Sequence, residues 1–296
     1  MTGHLAKATG KMIRARALLA CALKQDGTIH PDAVRAAASA ELLHLATLVH
    51  DDIIDDADKR RGIDTLHRKF GEKHAVLCGD YLFCTALEFV SSVSEPQRKP
   101  GTLAKSFPHY LTEVCLGELR QNQNNRNYRL SEREYFKIIR GKTAALFEAC
   151  FYAGFVLSDA PDEDERTYAD MGNHIGTIFQ LIDDCSDYEA TRKMTKKPVL
   201  SDYSRGVITL PLIHALKKDK SLLEGVKAGT VTPAQLKTAV EATGGLIYTR
   251  AKADALFDQT LALFGGLAIS ARKRELLTAL LYKAAGRSDS MTVVEA

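Results

Sequence analysis

Apolar residues recur at intervals of three and four along most of the chain. Val34, Ala38, Leu42, Leu45 and Val49 form one such stripe, and Phe136, Ile139, Thr143, Leu146 and Phe147 form another. That spacing lines one face of an α-helix. Alternating runs of β-branched residues are nearly absent, so strands are not expected. The eight prolines, at 31, 96, 100, 108, 161, 198, 211 and 233, leave 32–95, 109–160 and 234–296 free of proline. Glycines punctuate at 27, 62, 71, 101, 206 and 229. Ser131 followed by Glu134 reads as a capping box, and Thr232-Pro233 as a cap with proline in the first helical position. Ser91–Gly101, Asn122–Arg129 and Thr191–Gly206 read as loops. No Ser/Gly/Pro linker and no internal repeat divides the chain. The pattern predicts one all-α domain over residues 1–296, a bundle of ten or more helices.

Composition narrows the class. Of 296 residues, 45% are hydrophobic and 26% charged, the balance of a soluble globular chain. Forty Lys and Arg against 37 Asp and Glu leave a formal charge of +3, too little for a general nucleic-acid binder. No run of about 18 apolar residues could span a membrane. Met1 to Ala22 is basic and amphipathic, without the compact apolar block of a secretory signal, so a cytoplasmic location is expected. The six cysteines include no CxxC pair and lie mostly in apolar helical context, which predicts small buried thiols.

Two acid runs carry the chemistry. The first is His50-Asp51-Asp52-Ile53-Ile54-Asp55-Asp56, continuing to Arg60-Arg61-Gly62. At about 100° per residue, Asp51 and Asp55 come within about 40° of each other, and His44 projects to the same sector. The second is Gln180-Leu181-Ile182-Asp183-Asp184-Cys185-Ser186-Asp187, with Asp183, Asp187 and Gln180 on a common face. A single acid run is usually a solvated helix face. Two DDxxD runs, each embedded in apolar helix, favour a built site. Carboxylates without His or Cys partners suit Mg²⁺, which keeps waters and takes substrate phosphates as further ligands; zinc is not expected. Like charges at this spacing need a cation nearby. Lys11, Arg14, Arg60, Arg61, Lys142, Lys193, Lys196 and Lys197 are available, enough for two diphosphates, one held through metal and one directly.

With these motifs the chain resembles the trans-polyprenyl diphosphate synthase family. Glu41-Leu-Leu-His44, Gly79-Asp80-Tyr81-Leu82, Gly141-Lys142-Thr143-Ala144 and Thr209-Leu210-Pro211 fit in the same order. The resemblance implies a helical bundle of the isoprenoid synthase type around a central prenyl cavity. It implies condensation of isopentenyl diphosphate with an allylic prenyl diphosphate. Two or three Mg²⁺ ions would be held by Asp51, Asp52, Asp55, Asp183 and Asp187. Arg60, Lys142 and Lys197 would contact the allylic diphosphate, and Lys11, Arg14, His44 and Arg61 the isopentenyl diphosphate. Lys142, Thr143 and Gln180 would face the reacting carbons. Ala46 and Thr47, where larger residues would floor the cavity, would allow a product of twenty carbons or more.

The chain departs from the family pattern at two cationic positions, which here hold Met12 and Val207. Lys193, Lys196 or Lys197 is the expected substitute for the latter. The run Tyr81–Val90 is apolar almost all round, and a helix of that kind needs cover on every side, which predicts a homodimer. Two other readings use the same residues. A class I terpene cyclase also ionises a diphosphate, but it needs no second cationic set. A subunit of a heteromeric synthase would keep the fold and depend on a partner for activity, as a heterodimer.

Overall fold

The computed structural model describes residues 1–7, 10–96, 102–189 and 200–287. In chain order the helices are α1 (Thr2–Leu5), α2 (Ile13–Ala22), α3 (Ala33–Ile54), α4 (Leu66–Phe70), α5 (Glu72–Ser91), α6 (Thr102–Gln123) and α7 (Glu132–Ile139). A π-helical turn, Arg140–Ala144, leads into α8 (Ala145–Val156). Then come α9 (Glu165–Glu189), α10 (Ser201–Ser204), α11 (Leu210–Lys218), α12 (Lys220–Lys227), α13 (Pro233–Ala242), α14 (Gly245–Gly266) and α15 (Ala271–Ala284). The all-α expectation holds. Among the described residues the only sheet is a hairpin of β1 (Lys59–Arg60) and β2 (Ile63–Asp64). Its turn residues Arg61 and Gly62 both have positive φ, 52° and 85°, the combination a tight two-residue hairpin turn requires.

Residue contacts divide the chain into two compact units. The first comprises residues 1–109, 149–169 and 268–277. Here α3 packs on α2 and α5, and α4 on α5. Ala33, Ala36, Ala37, Ala40 and Ala46 are buried on α3, and such small side chains let a neighbouring helix approach closely. Buried Ser39 donates its hydroxyl to Ala86 O at 2.6 Å, so that polar group is satisfied. Ala46, Val49, Leu66, Ala75, Cys78 and Leu82 form a cluster, flanked by Leu5, Leu42, Leu45, Ile53 and Phe83.

The second unit comprises residues 110–148, 170–267 and 278–296. Its α11 packs against α7, α12, α13 and α14. Both expected helix starts are capped, but the Ser131 box is only half formed, because the Glu134 carboxylate accepts from Lys137 Nζ instead. The Ser131 side chain accepts from Glu134 N, and Thr232 forms a full capping box with Gln235.

Four sequence expectations need correction. Pro108 lies inside α6 rather than ending a helix. Proline forfeits one backbone bond there, but buried Leu103 and Phe107 anchor the turn that precedes it in the core. Asn122 and Gln123 still belong to α6. The span Thr191–Gly206 contains α10, whose first amides are met by a carboxylate on α9; Lys193, Lys196 and Lys197 lie outside the described residues. Cys84 and Cys115 are exposed, whereas Cys21, Cys78, Cys150 and Cys185 are buried as expected.

Candidate active site

The first acid run sits where α3 ends. Asp55 is its C-cap, donating its N–H to Asp51 O at 2.8 Å, and Asp56 turns into the left-handed region at φ 49°. Acids at a helix C-terminus oppose the helix dipole as well as one another, so cations gather there. Arg60 Nε on β1 pairs with Asp52 Oδ1 at 2.7 Å. Arg68 on α4 pairs with Asp56 at 2.9 Å and Asp58 at 2.8 Å. Asp52 is 5% exposed. Burial raises its carboxyl above the ordinary range, and Arg60 works against that rise. Asp51 and Asp55 are half-buried.

A cationic group lies in the same unit. The Arg14 guanidinium on α2 is enclosed, with Glu41, Cys150 and Arg61 within electrostatic reach; burial lowers its pKa. His44, one face of α3, is pushed down to about 2 by burial and then by Arg14, Arg61 and Arg60. It is therefore a neutral imidazole among three guanidinium groups. Arg61 also lies against Gly10, where an added Cβ would sit 2.6 Å from Nη1. A hollow between α1, α3 and the hairpin is lined by Leu5, Leu45, Leu48, Asp52, Arg60 and Arg61, among others. Lys11 is exposed nearby in sequence, and Met12 is 53% exposed with φ 48° as the N-cap of α2.

Within the second unit, the π-turn is seated directly on α6. A Cβ on Gly117 would overlap Lys142 N, and one on Gly141 would lie 2.7 Å from Glu113 O. Only glycine at both places permits this backbone-to-backbone approach. The extra residue in the turn is a local irregularity of the kind helices carry at functional sites. It presents Lys142, whose Nζ pairs with Glu118 Oε2 at 2.7 Å, and buried Thr143. Thr143 donates its hydroxyl to Gln180 Oε1 at 2.6 Å. Gln180 donates from Nε2 to Asp184 Oδ1 at 2.7 Å, and Tyr135 OH donates to Asp184 Oδ2 at 2.5 Å. Burial raises the Asp184 carboxyl well above its usual range, with Asp202 adding to the rise and the two hydrogen bonds opposing it. Asp187 Oδ1 accepts from Ser201 N and Oγ, and its Oδ2 accepts from Asp202 N at 3.1 Å. Burial and Asp202 raise its pKa against those bonds. Asp183 is exposed on the same helix.

In the first unit the structure thus pairs Asp52 with Arg60 and gathers Arg14, His44, Arg60 and Arg61. In the second it joins Thr143 to Gln180. Among the described residues, no three Asp, Glu, His or Cys side chains converge on a point where a metal ion could sit. Ala46 is fully buried in the Val49–Leu82 cluster, and half-buried Thr47 donates its hydroxyl back to His44 O at 2.9 Å. Sequence reasoning missed Arg68, Glu118, Tyr135 and the inward aim of Asp184. Arg68 alone had a local signal, as the next cation on the chain after the Asp56–Asp58 acids.

Comparison with known proteins gives the family. The profile described as polyprenyl synthetase matches residues 1–243. Heptaprenyl diphosphate synthase component 2 of Geobacillus stearothermophilus is 34% identical over 94% of this chain and 87% of its own length. A short chain isoprenyl diphosphate synthase of Methanocaldococcus jannaschii is 37% identical over 80% of this chain and 73% of its own. The crystal structure of heptaprenyl diphosphate synthase from Staphylococcus aureus superposes with a TM-score of 0.87 at 29% identity, covering 97% of this chain and 90% of that one. With its helical fold, its two acid motifs and its cationic group in the order the family carries them, the chain belongs to the polyprenyl synthetase family and is a prenyltransferase.

Proposed function

We propose that the whole chain, residues 1–296, acts as one Mg²⁺-dependent synthase domain that joins isopentenyl diphosphate to an allylic prenyl diphosphate and releases products of twenty carbons or more. The donor chemistry fits the ion. The candidate ligands Asp51, Asp52, Asp55, Asp183 and Asp187 are all oxygen donors, and Mg²⁺ takes one or two carboxylates from a given element and completes its shell with water and phosphate. Bound there, the metal would draw charge off the departing diphosphate. Arg60 and Lys142 would hold that diphosphate, each released from its present carboxylate partner toward the ligand. Lys11, Arg14, His44 and Arg61 would bind the isopentenyl diphosphate. A neutral His44 donates a hydrogen bond to phosphate without adding charge. Thr143 and Gln180 would turn oxygen atoms toward the allylic carbon as positive charge develops, and the isopentenyl double bond would attack there. As the C–O bond to the departing diphosphate breaks and the new C–C bond forms, a proton leaves the new chain to the released diphosphate.

The observation that carries this reading is the group Arg14, His44, Arg60 and Arg61, three guanidiniums around one neutral imidazole. It supports a second anionic substrate, which a terpene cyclase does not need. The test supplies the purified chain with Mg²⁺ and both diphosphates, then omits isopentenyl diphosphate. Chain elongation that stops when it is omitted is expected. Continued consumption of the allylic substrate with cyclised product would establish the cyclase reading.

Met12 and Val207, and the relative named as a component, favour a second reading, a catalytic subunit whose turnover requires a partner chain. Failure of the isolated chain to turn over, with activity restored on adding a partner, would establish it.

A further inference from the structure

The chain of hydrogen bonds Tyr135–Asp184–Gln180–Thr143 runs one way in the structure, with Tyr135 OH and Gln180 Nε2 each donating to one oxygen of Asp184. The Gln180 amide nitrogen can only donate, and it faces Asp184 Oδ1 at 2.7 Å. That leaves the amide oxygen facing Thr143 at 2.6 Å. An amide oxygen can only accept, so the Thr143 hydroxyl must spend its single proton on Gln180. What remains on Thr143 is lone pairs. Asp184 is held in turn. It is 2% exposed, and its other oxygen accepts from Tyr135 OH at 2.5 Å. Tyr135 is 3% exposed and is carried by α7, the capped helix that runs into the π-turn. Asp184 is therefore turned into the helix packing, whereas Asp183 on the same helix is exposed.

We propose that Asp184 and Tyr135 are positioning residues that set the hydroxyl polarity of Thr143, so that it meets the forming allylic cation with its oxygen and not its proton. The inference rests on the placement of Thr143 and Gln180 at the reacting carbons given above. Asp184 holds the amide in one of its two orientations, and Tyr135 holds Asp184. Reversing the amide would turn a donor toward Thr143 and free the threonine proton to point at the cation. A preorganised dipole of the wrong sign opposes ionisation, whereas one of the right sign lowers its barrier without reorganisation. Such an effect belongs to the transition state, so it appears in kcat rather than in substrate affinity.

The test is a double-mutant cycle on the full chain with both diphosphates and Mg²⁺. Tyr135→Phe is expected to lower kcat by about tenfold, with KM for each substrate nearly unchanged. Thr143→Val should lower kcat further, and Thr143→Ser should restore it. In the Thr143→Val background, Tyr135→Phe should cost less than about twofold, because residues acting through one chain are not additive. Losses that multiply, or a Tyr135→Phe effect confined to KM or to thermal stability, overturn the positioning role and leave the proposed function standing. Should Tyr135→Phe fail to fold, the isosteric Asp184→Asn, which offers one acceptor in place of two, is read in the same cycle with the same expectation. If Thr143→Val and Gln180→Leu both turn over like the parent, the placement of these residues at the reacting carbons fails, and the positioning role with it.

Discussion

His44 shows how a single residue reports on its surroundings. Its folded value of about 2 lies far below the 6.5 of a free imidazole, because burial and three arginines exclude a further positive charge. The unfolded chain takes up a proton as pH falls through 6.5, whereas the folded chain refuses it until about 2. Stability from this group is thus complete above the unfolded value and is lost as pH falls below it. The slope is at most about 1.4 kcal/mol per pH unit. Denaturant midpoints measured at falling pH should show that limb, and His44→Gln should flatten it. An identical pH dependence in the variant would mean that His44 is protonated in the fold. The same residue bears on binding. A diphosphate beside Arg14 and Arg61 would reverse the local sign and favour the imidazolium, so bound isopentenyl diphosphate should shrink the acid limb.

Helices were legible where a local side chain marks them and obscure where the marker is distant. Ser131 and Thr232 lie next to the amides they cap, so α7 and α13 could be read directly. Helix α10 could not, because Asp187 caps it from another helix, fourteen residues away in sequence. Pro108 misled, since a breaker in isolation is tolerated in α6, where the preceding Leu103 and Phe107 are buried. Both DDxxD runs and their apolar settings were legible from spacing alone. The inward turn of Asp184 was not, because its partner Tyr135 is 49 positions away. Nor was the π-turn, which depends on Gly117 meeting Gly141 across two helices. That contact predicts a severe local effect. Gly117→Ala would drive a methyl group into the Lys142 amide, so α6 or the turn must shift, at a cost of about 1–3 kcal/mol or more. Lys142 and Thr143 should move with the turn, and kcat should fall by more than the folded fraction does. A variant that keeps full kcat while its melting temperature drops would uncouple the turn from catalysis. A third element, α3, is the proposed ruler of product length. One helical turn is about 5.4 Å, comparable to a prenyl unit, and Ala46 lies just over one turn before Asp51. Ala46→Phe should shorten the product while turnover persists. Because Ala46 is fully buried, a stability loss should accompany it. Unchanged product length by chromatography, with only the stability loss, would leave Ala46 a packing residue.

At the scale of the whole molecule, the remaining question is what covers α5. The run Tyr81–Val90 is apolar almost all round, yet only part of it is enclosed by the chain itself. Ala75, Cys78, Leu82, Ala86 and Val90 face inward and are buried. On the opposite side Leu77 is 65% and Tyr81 63% exposed, Val76 is also exposed, and Cys84 continues the row. Leu77, Tyr81 and Cys84 follow one another at intervals of four and three, so they form a single stripe along the helix. Isolated surface apolar residues need no explanation, but a continuous stripe that includes an aromatic marks an interaction face. Three further observations favour a second copy of the chain over an unrelated partner. The stripe is nearly free of charge, as the centre of a permanent interface is. Its acidic neighbour Asp80 is already engaged within the chain, by His50 on α3 at 3.2 Å. A two-fold pairing of one helix with its own copy satisfies identical apolar stripes by symmetry. Light scattering at micromolar concentration should therefore report a dimer. Leu77→Glu together with Tyr81→Glu should yield a folded monomer, because two buried carboxylates would face two more across the axis. If the parent chain is a monomer alone and becomes a dimer only with a different polypeptide, the stripe belongs to a heteromeric synthase. If the double variant stays dimeric, the interface lies elsewhere on the chain.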